Sequence, residues 1–223
     1  MLLIDQLSVE LAGVQVLRRI HAPVLTGTTV AVIGRNGAGK TTLLRSIMGL
    51  VPVTGGSILL DKAELLTQAA HRRAALGIGY APEDRVIFPT LSVLQNLRLP
   101  AEVLGLSAKD MDLRMAAVLE VVPQLEPMLA RSGAALSGGQ GKMVALGRAL
   151  MAGTRMVLLD EPLQGLAPVL AEQYVQSIGR LRRLRPELSV VITESNASLL
   201  TGMPDQTWLL ERGALSQQQP VAH

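Results

Sequence analysis

Three short stretches hold residue types whose spacing could handle a phosphate ester. The first is GRNGAGKT, residues 34–41, in the pattern G-x-x-x-x-G-K-[ST]. Its glycines let the backbone approach phosphate oxygens, Lys40 brings a cation to the β and γ oxygens, and Thr41 offers a hydroxyl to Mg2+. The second is LSGGQ, residues 136–140. It is again a glycine-rich loop running into a helical pattern, so it turns backbone N–H groups toward an anion. The third, MVLLDEP, ends an apolar run in Asp160 and Glu161. A carboxylate at the C-terminal end of a parallel strand faces the ligand crevice. Asp160 is therefore expected to hold Mg2+ through a water. Glu161 can act as general base, or as polariser, for an attacking water.

These loops need strands before them and helices after them. Residues 4–32 read as short alternating strands. Residues 30–33 form an apolar strand that ends on glycine, and Lys40–Met48 a helix. Further strands are expected at 57–60, 77–81, Met156–Asp160 and 189–193, with 206–210 as the last, and a helix over 167–184. From about Pro89 to Ala152 the character changes: LSVLQNLRL, AKDMDLRMAAVLEVV and GGQGKMVALGRALM all have helical spacing. Strands alternating with helices imply a parallel sheet with crossovers, and the helical stretch sits inside that pattern as an inserted subdomain would. The end, SQQQPVAH, is polar and reads as a frayed tail.

Composition narrows the classes. The 223 residues are 48% hydrophobic, an excess of Ala, Leu and Val, and mean hydropathy is +0.34. No apolar run approaches the ~20 residues that span a bilayer. The start, MLLIDQL, lacks a basic leader and contains Asp5, so it is not expected to be a signal peptide. There are no cysteines, which removes disulfides and thiolate metal sites and fits a reducing compartment. The net charge is only +3 and no Lys/Arg run exceeds two neighbours, so there is no case for nucleic acid. The three histidines, His21, His71 and His223, are scattered, which argues against a histidine metal site.

With the three motifs in this order, the chain resembles the ATP-binding subunit of ABC transporters over nearly its whole length. The resemblance implies an α/β fold, a P-loop NTPase of ABC type. Its core sheet is mostly parallel, with an N-terminal antiparallel β subdomain and an inserted α-helical subdomain. It is expected to be a single ABC ATPase domain: 1–88 and 153–216 form the core with the β subdomain, 89–152 the helical subdomain, 217–223 a tail. ATP and Mg2+ are the implied cofactors. Gly34, Arg35, Asn36, Gly37, Ala38, Gly39, Lys40, Thr41 and Thr42 match the nucleotide-binding loop, and Asp160 and Glu161 the acidic strand end. In that family Ser137, Gly138, Gly139 and Gln140 cap the γ-phosphate of an ATP seated on a second subunit, in a head-to-tail pair. An ordinary helix N-cap by Ser137 is compatible with that role. The implied partners are a second ABC ATPase subunit (as hetero- or homodimer), membrane permease subunits and, through them, a solute-binding protein. The implied location is peripheral, on the cytoplasmic face of the inner (plasma) membrane.

Local phrasing narrows the resemblance to importers of branched-chain amino acids and the related urea importers. It rests on GIGYAPEDRVIFPTLSVLQNL (77–97), EPLQGLAP (161–168), ESNA (194–197) and LLERG (209–213). The chain is similar to the smaller of those importers' two ATPases. Four positions depart from the general family pattern. Glu83 stands in a glutamine slot that contacts Mg2+ and the water. Ser195 stands where a histidine reaches the γ-phosphate, or Glu194 does if the register slips by one. Ala167 replaces an aspartate that crosses the dimer interface, and Leu11 an aromatic that stacks on adenine. The lost stacking is worth on the order of 1 kcal/mol. These changes bear on hydrolysis more than on binding. Two readings follow: an energy-coupling ATPase, or an ATP-binding but weakly hydrolysing regulatory subunit. A DNA-repair ABC ATPase would need long coiled coils, and no heptad run exists. The permease is expected to dock near residues 85–99, through Val86, Ile87, Phe88 and Leu91.

Overall fold

The computed structural model describes residues 1–84 and 86–218. In chain order its elements are β1 (Leu2–Leu11), β2 (Val14–Val24), β3 (Thr29–Ile33), α1 (Lys40–Met48), β4 (Gly55–Leu60), β5 (Ala63–Glu64), α2 (Arg72–Ala75) and β6 (Ile78–Ala81). Then come α3 (Val93–Val103), α4 (Ala108–Val121), α5 (Gly138–Ala152), β7 (Met156–Asp160), α6 (Pro168–Leu184), β8 (Ser189–Glu194), β9 (Gln206–Glu211) and β10 (Ala214–Gln218). They gather into two compact units: Met1–Arg73 with the chain from Glu187 onward, and Ala74–Pro186.

The first unit holds an antiparallel sheet in the order β2-β1-β4-β5. In β1, Leu2 and Ile4 and then Leu7 and Val9 are buried in alternation, the two pairs separated by a register shift where Gln6 takes φ 50°. Ala12 and Gly13 close the β1–β2 hairpin with φ of 49° and 78°. Positive φ at both central residues matches the twist of the flanking strands. The same unit carries β3, parallel to β8 on one side and to β9 on the other. Val30, Ala31 and Val32 are all buried, the continuous apolar run of a strand covered on both faces.

The strand at 206–210 is not the last. Arg212 and Gly213, with φ of 48° and 78°, make a second tight turn, and β10 returns antiparallel along β9, Gln217 pairing with Trp208. Gln217 and Gln218, expected in the tail, belong to this strand; residues 219–223 lie outside the described residues.

In the second unit β6 and β7 pair in parallel. A Cβ on Gly79 would stand 1.9 Å from the Ala149 carbonyl oxygen, so glycine lets the backbone of α5 lie directly on β6. Capping boxes open α3 (Ser92, Gln95) and α5 (Ser137, Gln140), and Ser107 caps α4. Helix α6 starts one residue later than expected: Ala167 is its N-cap, with extended backbone, and Pro168 takes the first helical position, where a missing N–H costs nothing. Among the described residues no helix is long and apolar enough to cross a membrane.

Candidate functional site

The first unit builds a glycine-rich loop between β3 and α1. Gly34 leaves β3 where a side chain cannot fit: its Cβ would lie 2.4 Å from the Leu210 carbonyl oxygen. Gly39, with φ 110°, is the N-cap of α1 and gives no side-chain cap. The helix therefore opens with backbone N–H groups that an anion can accept from. Lys40 is 3% exposed. Its ammonium donates to the Gly34 carbonyl at 2.7 Å and to the Arg35 carbonyl at 3.2 Å. The cation thus folds back over its own loop. Arg35, Asn36 and Gly37 are exposed at the tip, Ala38 is buried, and Thr41 and Thr42 are half-buried on the first turn.

The same unit brings the end of β8 to this loop. The Gly34 N–H donates to the Glu194 carbonyl at 3.2 Å, so Ser195, exposed and next in the chain, stands at the loop's entrance. A cavity of about 860 Å³ beside the loop is lined by Arg18, Arg35, Asn36, Gly37, Ala38 and the 210–216 hairpin, including Glu211 and Arg212. Leu11, half-buried at the end of β1, is not part of that lining.

In the second unit all of β7 is buried. It ends in Asp160 and Glu161, 1% and 4% exposed. Asp160 accepts a hydrogen bond from the Tyr80 hydroxyl at 3.1 Å. Glu161 has φ 44°, a left-handed conformation that costs a non-glycine residue about 1–3 kcal/mol. Strain of this kind persists only where the surroundings over-determine it. Part of that hold is Lys142, whose ammonium donates to the Glu161 carbonyl at 2.6 Å and to the Gln164 carbonyl at 2.7 Å. Glu83 is exposed in the turn after β6.

The second glycine loop lies at the start of α5. Ser137 Oγ accepts from the Gln140 N–H at 3.3 Å, and Gln140 Oε1 accepts from the Ser137 N–H at 3.0 Å. Ser137 and Gly138 are exposed, and Gly139 and Gln140 half-buried. The cap holds the loop rigid with its outer face toward solvent.

Sequence reasoning missed three residues here. Tyr80 lies on β6, and only strand pairing brings it to Asp160. Lys142 is the only lysine in α5, and only the fold brings its ammonium to the turn after β7. Arg148 donates to the Val86 carbonyl and stands 5.1 Å from the Phe88 ring centroid; burial pushes its guanidinium pKa down. Arg85, named for permease docking, lies outside the described residues.

The family described as "ABC transporter" matches residues 17–164. The high-affinity branched-chain amino acid transport ATP-binding protein BraG of Pseudomonas aeruginosa is 34% identical, over 96% of this chain and 91% of that protein. The lipopolysaccharide export system ATP-binding protein LptB of Escherichia coli is 33% identical, over 91% of this chain and 83% of that protein. A dimeric ATP-binding cassette in a post-hydrolysis state with ADP and phosphate shares the fold, with a TM-score of 0.86 and 21% identity over the whole of both chains.

Proposed function

We propose that this chain, which belongs to the ABC transporter ATP-binding family and is an ATPase coupled to transport, energises an importer of branched-chain amino acids or a related small solute such as urea. The observation that carries the cargo reading is the similarity to BraG over 96% of the chain. The similarity to LptB favours a second reading, export of a lipid-linked saccharide. Cassettes of this family dimerise and work with membrane permease subunits; a solute-binding protein is the further partner that import requires. The chain then sits peripherally on the cytoplasmic face of the inner membrane, held by its permease.

In this reading residues 1–88 and 153–216 form the catalytic core with its β subdomain, and 89–152 the helices that carry the signature loop, Leu136–Gln140. Gly34–Thr42 cradle the nucleotide phosphates, and the buried Lys40 supplies charge to them. The uncapped start of α1 and the glycines at 34 and 39 fit that ligand. Thr41, Asp160 and Glu83 are hard oxygen donors suited to Mg2+, which neutralises phosphate charge when bound. Among the described residues no three His, Cys, Asp or Glu cluster as a metal site, and an ion held through phosphates and waters needs no such cluster. Glu161 accepts the proton of the attacking water, and Ser195 donates one hydrogen bond to the γ-phosphate. Ser137–Gln140 serve the nucleotide of the partner subunit, with Leu11 as an apolar contact to adenine.

The test is the assembled transporter in proteoliposomes. ATP-dependent uptake of leucine or urea with the solute-binding protein present supports import. Stimulation of phosphate release by glycolipid, with no uptake, would favour export. Tight ATP binding with negligible turnover at this chain's own site would favour the regulatory alternative.

A further inference from the structure

We infer that Lys142 is a positioning residue that ties the start of α5 to the backbone of Glu161, and so links the two nucleotide sites through a single chain. The inference rests on the reading above, in which Glu161 serves this chain's own nucleotide and Ser137–Gln140 serve the partner's.

The geometry is direct. Lys142 lies two residues beyond Gln140, the side chain that closes the α5 capping box. Its ammonium donates to the carbonyls of Glu161 and Gln164. The Glu161 carbonyl also accepts the Gln164 N–H at 3.3 Å. One cation therefore brackets a tight turn that begins on the strained residue. Charge-assisted hydrogen bonds are roughly twice as strong as neutral ones, and two of them on a half-buried lysine help hold Glu161 at φ 44°. The backbone conformation of Glu161 sets where its carboxylate leaves the strand end.

A second contact ties the same two segments. A Cβ on Gly139 would collide with Leu170 Cδ1 and stand 3.2 Å from Leu166 Cδ2. The glycine thus admits Leu170 and Leu166 against the first turn of α5. Residues 161–170 are held to the signature turn at both ends, by the ammonium and by these leucines. When the signature turn is drawn onto the partner's nucleotide, the Glu161 turn is drawn with it.

The test uses the assembled ATPase complex with three variants: Lys142→Met, Lys142→Arg and Glu161→Gln. Lys142→Met keeps the apolar stem and removes the charge. It is expected to lower kcat by on the order of 10–10² fold, the range seen when a catalytic group is misplaced. KM for ATP and the affinity for ADP should hold, and cooperativity in ATP should fall. Lys142→Arg, which keeps a donor cation, should restore most of kcat. Unchanged kcat and cooperativity in Lys142→Met would overturn the proposal, as would a parallel loss of nucleotide affinity and thermal stability without rescue by arginine. Glu161→Gln separates the two readings: if it loses turnover while Lys142→Met does not, only the positioning role fails. If both keep wild-type turnover, the base assignment fails as well.

Discussion

Asn96 brackets the backbone of Phe88: its Oδ1 accepts the Phe88 N–H at 2.9 Å, and its Nδ2 donates to the Phe88 carbonyl at 3.0 Å. The same amide nitrogen also reaches the carbonyls of Leu91 and Ser92. Asn96 is fully buried on α3, so one side chain fixes the loop that precedes the helix. Asn96→Ala should destabilise the protein by about 2–4 kcal/mol, because several buried partners lose their bonds at once. Urea unfolding checks it: the midpoint should fall with the slope unchanged. A loss below about 0.5 kcal/mol, the range of ordinary surface changes, would show that water replaces the amide freely.

That loop presents apolar groups outward. Val86 is 55% and Phe88 41% exposed, while Arg148 holds both from beneath. The chain has no cysteine, so single-cysteine variants report cleanly. Val86→Cys and Phe88→Cys should crosslink to a cysteine in a cytoplasmic loop of the permease. Gln176→Cys, on the exposed face of α6, should not. Crosslinks confined to α6 would move the docking surface there.

Lys40→Ala removes the cation that the pattern of the 34–41 loop requires. Loss of one preorganised charge contact lowers turnover by about 10²-fold or more, and ATP affinity should fall with it. The two carbonyls that Lys40 now engages, Gly34 and Arg35, would be left to water. Equilibrium binding of a fluorescent ATP analogue, with phosphate release alongside, checks this. Wild-type values for both would mean that the nucleotide sits elsewhere.

Glu161→Gln keeps shape and removes the carboxylate proposed as the proton acceptor. Binding should hold while hydrolysis slows by ~10²–10⁴ fold, and an ATP-bound pair should accumulate on gel filtration. Rapid single-turnover hydrolysis at the variant's own site would remove Glu161 from the role.

If the chain pairs with a different ATPase, Ser137→Arg should reduce ATPase of the complex more than Glu161→Gln does. The Ser137 loop is closed by its capping box, whereas in the proposed reading this chain's own site has Ser195 in place of an imidazole. Equal losses in steady-state phosphate release would mean that the two sites are equivalent or tightly coupled. A fully active homodimer of this chain alone would reject the asymmetry outright.

The sequence by itself determined the pieces whose causes are local. Helix α1 and strand β7 span the residues their patterns indicate, because a glycine cap, a helical apolar stripe and a buried run each act within a few neighbours. The α5 capping box is likewise written in Ser137 and Gln140, three residues apart. Tertiary structure decided the rest. Strand β10 has a polar, glutamine-rich sequence, and its order comes from the ladder that β9 offers after the turn at Arg212 and Gly213. The Arg-Gly pair was the one local signal of that turn. Tyr80 meets Asp160 across eighty residues of chain, and Lys142 reaches the Glu161 carbonyl across nineteen. A lysine is most often solvated, and no spacing rule marks one that folds onto two backbone carbonyls. The acceptors are main-chain oxygens present at every residue, so only the packing of α5 against the end of β7 selects which of them the ammonium finds.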